Sequence, residues 1–260
     1  MRSSQGPHRV AQMSDFNIFD LFQDKCISGS TVAVIYDAYS SAWQVSLLFL
    51  EKALEEGYFG VMSNYSVPLR GLFRRGRSVG LDFMEVLQNG NLAVIDVFGS
   101  RYASTENLPG VFYLDKVEPE TINPKIDRIY WGPLRMKVSS GKIIRLVYTL
   151  DGAAMMLGEE NTLKLLNQTV ATKSVRFPDS ILLLPVNSDI VSKRFVAWTS
   201  TISDYVVLAR SWIEKDYIKE LLYIIKSPCA DFEPVTYSLR VTGDKEKIYL
   251  KKVLKENLNP

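Results

Sequence analysis

The sequence predicts an α/β fold in which a mostly parallel sheet is flanked by helices, with a β-hairpin near its C-terminal end. Short β-branched runs such as 31–36 have the composition of buried strands. Helical patterns follow these runs at a regular rhythm, which is typical of right-handed βαβ units and a parallel sheet. Near the end of the chain, 235–241 and 248–253 flank the sequence TGDKEK, whose Gly-Asp pair is typical of a hairpin turn.

The individual elements follow from their start and stop signals. After the first strand, Ser40 and Ser41 favour a helix start, and the helix predicted over 43–56 ends at Gly57. Further strands are predicted at 58–65, 92–97, 143–150, 180–186 and 204–210. Further helices are predicted at 68–79, 82–87, 124–130, 159–171, 189–198 and 211–226, and a short helix or turn at 15–22. The segment 99–140 is rich in Pro, Gly and Asn and is predicted as a long excursion, whose role as lid, dimer arm or packed subdomain stays open.

Length and composition indicate one large domain with a small appendage. The chain has 260 residues, 47% of them apolar and 23% charged, and its net charge of +2 requires neither nucleic acid nor membrane as a partner. We predict a polar arm over 1–13, an α/β domain over 14–226, and a hairpin with a tail over 227–260 packed on that domain. Two cysteines and the absence of a signal-peptide pattern at the start favour a cytoplasmic protein. No apolar run in the sequence is long enough for a membrane span.

The histidine content limits the chemistry. His8 is the one histidine and lies in the polar N-terminal segment, where a solvated residue is expected. A Ser-His-Asp or Cys-His site would depend on that residue, and no Cys/His cluster has metal-ligand spacing. The sequence therefore predicts no metal site and no histidine-dependent catalytic site.

Three stretches in order carry a resemblance to a known family. These are the segment from Gly29 to Gly57, the sequence GYFGVM followed by Pro68 and an arginine-bearing helix, and the sequence SVGLDFMEVLQNGNLAVIDVFGS. Together they resemble the RecA-like P-loop ATPases, specifically the KaiC-like branch of archaea and bacteria. The third stretch is similar to that family's S-x-G-x-D-x-x-x-x-x-x-x-G-x-L-x-x-I-D segment. The resemblance spans about 15–210 and implies a RecA-like sheet.

The phosphate-binding positions differ from the family. Its first turn reads G-x-x-x-x-G-K-[ST], where backbone N–H groups and the lysine hold phosphates and the hydroxyl binds magnesium. In this sequence the two glycines fall on Tyr36 and Ser41, the lysine on Ala42, and the hydroxyl residue on Trp43. Tyr39 replaces a further glycine. Tyrosine offers neither the positive φ nor the close approach of glycine.

The remaining catalytic positions differ as well. The family's catalytic glutamate falls on Ser66, and its magnesium-associated acid falls near Tyr148 and Thr149, with Asp151 displaced by two or three positions. Phosphoryl transfer depends on positioned charge, so loss of all these groups predicts that ATP is not hydrolysed. The resemblance thus implies a degenerate, non-catalytic member, a pseudo-ATPase, for which neither a cofactor nor a bound nucleotide is expected.

Several residues near this loop have two interpretations. Asp37 and Asp96 form either a cation-binding pair or, as we prefer, an Asp turn and a structural Asp. Ser40 and Ser41 either hold an anion on N–H groups or act as helix caps, and capping is the more common role. Four aromatic residues are expected to cluster at the carboxyl edge of the sheet, as core filling or as a partner surface. They are Tyr36, Tyr39, Trp43 and Tyr65.

Two basic runs are predicted to be solvated faces, with nucleic-acid binding as the minority alternative. They comprise Arg70, Arg74, Arg75 and Arg77, and Lys245, Lys247, Lys251, Lys252 and Lys255.

The favoured hypothesis is a non-enzymatic regulatory module that binds a protein or peptide, with self-association as a further possibility. One alternative is a nucleotide or small-ligand binder without turnover. Another is an enzyme rebuilt around Asp37, Asp96 and Asp151, and a third is a nucleic-acid binder that uses the basic runs.

Overall fold

A computed structural model describes residues 18–22, 28–139, 141–215, 217–241 and 248–253. Within them, ten strands form one mixed sheet flanked by helices on both faces. The strands are β1 (Thr31–Tyr36), β2 (Phe59–Asn64), β3 (Leu92–Asp96), β4 (Val111–Phe112), β5 (Ile143–Tyr148), β6 (Ile181–Asn187), β7 (Tyr205–Ile213), β8 (Ile218–Lys226), β9 (Val235–Val241) and β10 (Ile248–Lys252). The predicted fold class is confirmed.

Helices connect the strands. They are α1 (Val45–Glu55), α2 (Leu69–Arg77), α3 (Phe83–Gln88), α4 (Val97–Tyr102), α5 (Ile122–Trp131), α6 (Arg135–Ser139), α7 (Leu150–Leu157), α8 (Glu159–Arg176) and α9 (Lys193–Ile202), with 3₁₀ helices at Ile18–Phe22 and Ser41–Gln44. The sequence-based prediction missed α4, α6 and α7. The prediction also ran the strand at 143–150 two residues too far, because the Thr149 side chain already caps α7 through the Gly152 N–H.

The strand order is β10-β9-β8-β7-β1-β6-β5-β2-β3-β4. Every neighbouring pair from β7 to β4 is parallel, whereas β7, β8, β9 and β10 pair antiparallel. β1 therefore lies between β6 and β7, at the centre of the sheet. Its carboxyl end is where open α/β sheets place their ligands.

The alternation of side chains along β1 divides the core into two layers. Val32 and Val34 point to one face of the sheet, which α1, α2 and α3 cover, and we call it the first face. Ala33 and Ile35 point to the second face, which α5 to α9 cover. Both faces are buried, as expected for parallel strands with near-continuous apolar sequences.

The excursion at 99–140 supplies the edge strand β4, some side chains of the first face, and a packed layer on the second face. Its buried residues Leu114, Ile122, Ile126 and Tyr130 share one apolar cluster with strands β2 and β3. The helix predicted at 124–130 is present as α5. The Pro and Gly residues of the segment therefore separate short elements that all pack on the sheet.

The prediction of a helix at 211–226 is wrong, because these residues form the end of β7 and the whole of β8. The sequence IKELLYIIK suits a strand whose alternate residues Leu222 and Ile224 are buried on the first face. Antiparallel pairing with β7 over Val206–Ile213 satisfies the backbone of β8. Apolar residues there fit both helical and strand spacing, and pairing with β7 decides between them.

The predicted C-terminal hairpin is present as β9 and β10, which extend the same sheet beyond β8. Leu239 and Leu250 bury their side chains in the cluster of the first face. The expected TGDKEK turn, the polar arm, His8, Cys26 and the end of the tail lie outside the described residues.

Replacement of Leu222 by alanine tests whether β8 belongs to the main core. We expect the free energy of unfolding to fall by about 2–5 kcal/mol, because Leu222 is fully buried and the truncation leaves a cavity. Urea-induced unfolding measures the change. Ile225→Ala is the matched control on the same strand, since Ile225 is 45% exposed, and we expect a loss of about 1 kcal/mol or less. Equal losses in the two variants would contradict this packing.

Candidate functional site

The loop after β1 lies at the carboxyl edge of the sheet and leads through the 3₁₀ helix Ser41–Gln44 into α1. A residue that follows β6 holds the backbone of this loop, because the Ala38 N–H donates to Asp189 Oδ2 at 2.9 Å. Ser40 caps the 3₁₀ helix, as predicted, because its Oγ accepts from the Ala42 N–H at 3.0 Å.

A carboxylate from β8 occupies the start of this helix. Glu220 Oε1 accepts from the Ser40 hydroxyl at 2.5 Å and from the Ser41 N–H at 2.6 Å, and its Oε2 accepts from the Ser41 hydroxyl. Glu220 is only 8% exposed. The start of a helix attracts anions through its N–H groups and dipole, and here an anion of the same chain is bound there.

A second carboxylate makes the reciprocal connection. Asp37 accepts from the Ser211 N–H at 2.6 Å and from the Ser211 hydroxyl, and its Oδ1 also accepts from the Tyr39 N–H at 3.2 Å. Ser211 and Glu220 are cross-strand partners in β7 and β8. We call Asp37, Ser40, Ser41, Ser211 and Glu220 the carboxylate clasp. It fastens the loop after β1 to the β7–β8 hairpin.

The four aromatic residues of the predicted cluster do not lie together. Tyr36 is buried in the core of the first face, and the half-buried Trp43 packs against the same core. Tyr65 is buried on the second face instead, and Tyr39 is 65% exposed. Tyr65 ends up apart because it follows β2, which is separated from β1 by β5 and β6.

Arg75 is half-buried and contacts two aromatic residues near Tyr36. Its Nη1 donates to the Tyr148 hydroxyl at 3.0 Å, and its guanidinium lies 5.5 Å from the centre of the Trp43 ring. The pKa of Tyr36 is raised well above the usual range, mainly by burial and further by the charge of Asp151. This tyrosine is therefore a neutral core residue.

The two positions that align with the family's catalytic glutamate and magnesium-associated acid are adjacent. Ser66 Oγ and Thr149 Oγ1 are 2.7 Å apart, and the Thr149 N–H donates to Ser66 Oγ at 2.8 Å. The peptide bond between Tyr148 and Thr149 is cis. Two neutral hydroxyls thus meet between the ends of β2 and β5.

The three aspartates of the rebuilt-site hypothesis have separate local partners. Asp96 caps α4 by accepting from the Gly99 N–H at 3.0 Å, and it also accepts from Asn64 Nδ2 at 2.8 Å. Asp151 accepts from the Asn187 N–H at 3.0 Å. Burial raises the pKa of both groups. Over the part of the chain that the structure describes, no group of three or more metal-ligating side chains comes together.

The basic runs are divided in the structure. Arg70 lies on the surface, where its Nε is 3.1 Å from Glu106 Oε1, while Arg75 is half-buried, as described. Lys251 and Lys252 are exposed on the edge strand β10. Lys245, Lys247 and Lys255 lie outside the described residues.

Beside the clasp, the end of the β7–β8 hairpin presents large apolar side chains to solvent. Ile213 and Ile218 are cross-strand partners, 69% and 51% exposed, and each lies two residues from the clasp on the same face. Trp212, Tyr217 and the loop residue Tyr39 are also at least 45% exposed, with Trp212 on the opposite face of the hairpin from Ile213. We call Tyr39, Trp212, Ile213, Tyr217 and Ile218 the tip patch.

The functional residues predicted from the sequence do not include Ser211, Glu220 or most of the tip patch. The segment that carries them was predicted as a helix, which would place them on different sides of a cylinder. The alternation of Glu220, Leu222 and Ile224 along β8 was the available signal for a strand. Nothing local indicates that Glu220 meets serines 180 positions earlier in the chain.

Comparison with known proteins defines the fold. The structure is similar to that of the uncharacterized protein PH0321 from Pyrococcus horikoshii, crystallised in complex with an unknown peptide, with a TM-score of 0.74 and 22% identity over 91% of this chain and 97% of that one. It is also similar to the KaiC-like protein PH0186 from Pyrococcus horikoshii OT3, with a TM-score of 0.61 and 14% identity over 90% of this chain and 94% of that one. The chain therefore has a RecA/KaiC-like fold.

No family model and no curated protein sequence matches the chain. A search of the described residues for a helix with the length and apolar character of a membrane span finds none.

Removal of the Glu220 carboxylate tests the clasp. We expect Glu220→Ala to lower the free energy of unfolding by about 2–4 kcal/mol, because three donors lose a charged, buried acceptor. Glu160→Ala is the control, since that carboxylate is 80% exposed and forms a surface pair with Lys164 at 3.2 Å, so a loss of about 0.5 kcal/mol or less is expected. Chemical denaturation of both variants measures the difference, and similar losses would show that the clasp contributes nothing.

The buried carboxyl group of Asp96 predicts a pH dependence. Because its folded pKa lies above the ordinary value of 3.8, the folded state keeps a proton that the unfolded state has released, so the free energy of unfolding falls as pH rises through this window. Asp96→Asn cannot titrate, so the stability of this variant relative to the natural chain should increase from about pH 4 upward.

Asp115→Asn is the control for this experiment. A bond from Lys125 lowers the pKa of Asp115, so the relative stability of that variant should change in the opposite direction. Thermal unfolding at a series of pH values measures both trends. If the Asp96→Asn difference does not vary with pH, the carboxyl group of Asp96 is not perturbed.

Proposed function

We propose that this chain is a RecA/KaiC-like scaffold without ATPase activity, which binds an extended apolar segment of a protein partner at the tip patch. One observation carries the proposal. Large exposed apolar side chains lie within two residues of the clasp, which holds the loop where the ATPases of this fold carry their phosphate site.

The chemistry around the loop argues against ATP turnover. In the family, positioned lysine, magnesium and acid groups stabilise the charge of phosphoryl transfer. The corresponding residues of this chain are Ala42, Trp43, Ser66 and Thr149, which supply no charge. The Glu220 carboxylate, bound at the start of the helix by Ser40 and Ser41, would repel a phosphate group approaching that position.

The tip patch has the properties of a protein-binding surface. Aromatic residues such as Trp and Tyr are enriched among those that supply most of the binding free energy at protein interfaces, and large exposed apolar patches mark such surfaces. The clasp holds the patch through two buried carboxylates, so little conformational freedom has to be lost on binding. The neighbour of similar fold that was crystallised in complex with an unknown peptide supports this class of partner.

Selection of peptides from a random phage-displayed library on the purified chain tests the binding role. We expect enrichment of peptides with apolar residues, and loss of their binding by at least about tenfold in the double variant Ile213→Lys/Ile218→Lys, because both contacts become charged. Val175→Lys is the matched control, since Val175 is 81% exposed on α8, away from the patch, and should leave binding unchanged.

Native mass spectrometry in the presence and absence of Mg-ATP completes the experiment. The proposal predicts no ATP adduct, and a stoichiometric adduct would favour the alternative of a nucleotide binder. A dimer that the same double variant dissociates would assign the patch to self-association instead. A lack of enriched peptides would refute the proposal, and so would peptide binding that the lysine substitutions leave unchanged.

A further inference from the structure

A cavity of about 320 Å³ lies on the second face of the sheet, between the strands β2 and β5 and the helices α5 and α8. This volume is in the range of small-molecule sites. Most of its lining is polar and comes from these four elements. The polar and charged residues among them are Ser63, Tyr65, Asn123, Asp127, Arg145, Gln168, Thr169 and Thr172.

Arg145 supplies the charge of this cavity. It is a residue of β5 and is only 9% exposed. Its Nε donates to the Tyr130 hydroxyl at 3.0 Å, and its guanidinium lies 5.1 Å and 5.4 Å from the ring centres of Tyr130 and Phe177. These contacts hold the guanidinium in one place beside the cavity.

The charge of Arg145 is not matched by an acid. Among the described residues, no carboxylate oxygen lies within 4.0 Å of its guanidinium, and its buried Nη1 has no hydrogen-bond partner there. A buried cation in this state is costly, because desolvation is not compensated by a bonded counter-charge.

The surrounding charges are compatible with an anion in the cavity. Lys173 is also buried, and its pKa is lowered mainly by burial and partly by the charge of Arg145, while the charges of Asp204 and Asp179 oppose this shift. Asp127 is the one carboxylate in the lining, and its Oδ2 already pairs with Arg176 Nη1 at 3.5 Å. The second face therefore carries two buried cations close enough to affect each other.

We propose that this cavity binds a small organic anion whose carboxylate or phosphate oxygen accepts from the guanidinium of Arg145, which lines the space. A guanidinium held by ring contacts is suited to planar and tetrahedral oxyanions, and bonds between two charged groups are among the strongest in proteins. The hydroxyl groups of Ser63, Thr169 and Thr172 line the same space and offer partners to other polar atoms of the ligand.

An adjoining recess indicates the shape of the ligand. It shares Tyr65, Asn123, Val147 and Thr169 with the cavity, and its other lining includes Leu150, Leu157 and Leu165. Its volume of about 30 Å³ admits no more than a short apolar group. The site lies on the opposite face from the clasp, so it is independent of the proposed protein-binding role.

Isothermal titration calorimetry with sodium phosphate and with sodium succinate, at constant ionic strength set by sodium chloride, tests the site. We expect one of the two anions to bind stoichiometrically, and the preferred one assigns the ligand to phosphates or carboxylates. Arg145→Met keeps most of the side-chain volume and should weaken binding by about tenfold or more. Arg128→Met, an exposed cation of α5 outside the lining, is the matched control and should bind as the natural chain does.

A second variant keeps the test decisive if Arg145→Met does not fold. Thr169→Phe fills the cavity and leaves the guanidinium in place, and it should also abolish binding. Absence of binding for both anions to the natural chain overturns the proposal. Equal binding to the natural chain and to the folded Arg145→Met or Thr169→Phe variant overturns it as well.

Discussion

The contact between the Glu220 carboxylate and the start of the helix after β1 is the interaction on which the functional end of this molecule depends. A helix start with its own N–H groups needs an acceptor, and in a phosphate-binding fold that acceptor is the ligand. Here a strand of the antiparallel extension supplies it, through Ser40 and Ser41. Because a buried charge without bonded partners is costly, each side of this contact requires the other.

The clasp also explains why the antiparallel strands belong to the main sheet. Asp37 accepts two hydrogen bonds from Ser211 of β7, and Glu220 of β8 accepts three from the loop, so the hairpin and the loop hold each other by bonds of opposite direction. Leu222 continues the buried face immediately beyond Glu220. The clasp thereby fixes the backbone of the hairpin that carries most of the exposed apolar side chains of the tip patch.

The two faces of the sheet use buried charge in different ways. On the first face, Glu220 accepts three hydrogen bonds and Arg75 donates to a tyrosine hydroxyl, so these charges are used within the fold. On the second face, Arg145 retains a buried donor beside a polar cavity. Because the sheet separates the clasp from the cavity, a ligand in the cavity makes no contact with a partner bound on the first face.

The sequence by itself determined the parallel core of this protein. Buried strands such as 31–36 and 92–96 carry continuous apolar runs, and the helix caps at Ser40 and Asp82 are local signals, so the βαβ rhythm could be predicted without a partner strand. The RecA/KaiC-like fold was expected from the resemblance of three sequence stretches to that family. Asp37 and Ser40 were singled out for the same reason, since turn and cap chemistry is encoded within a few residues.

Only the tertiary structure decided which charges meet. β8 was predicted as a helix because its apolar spacing fits both periods, and pairing with β7 selects the strand. Glu220 reaches Ser40 across 180 positions, and Arg145 gains its cavity only when α5 and α8 pack over β5. Such contacts depend on the distances between elements, which the local alternation and propensity of a sequence do not specify.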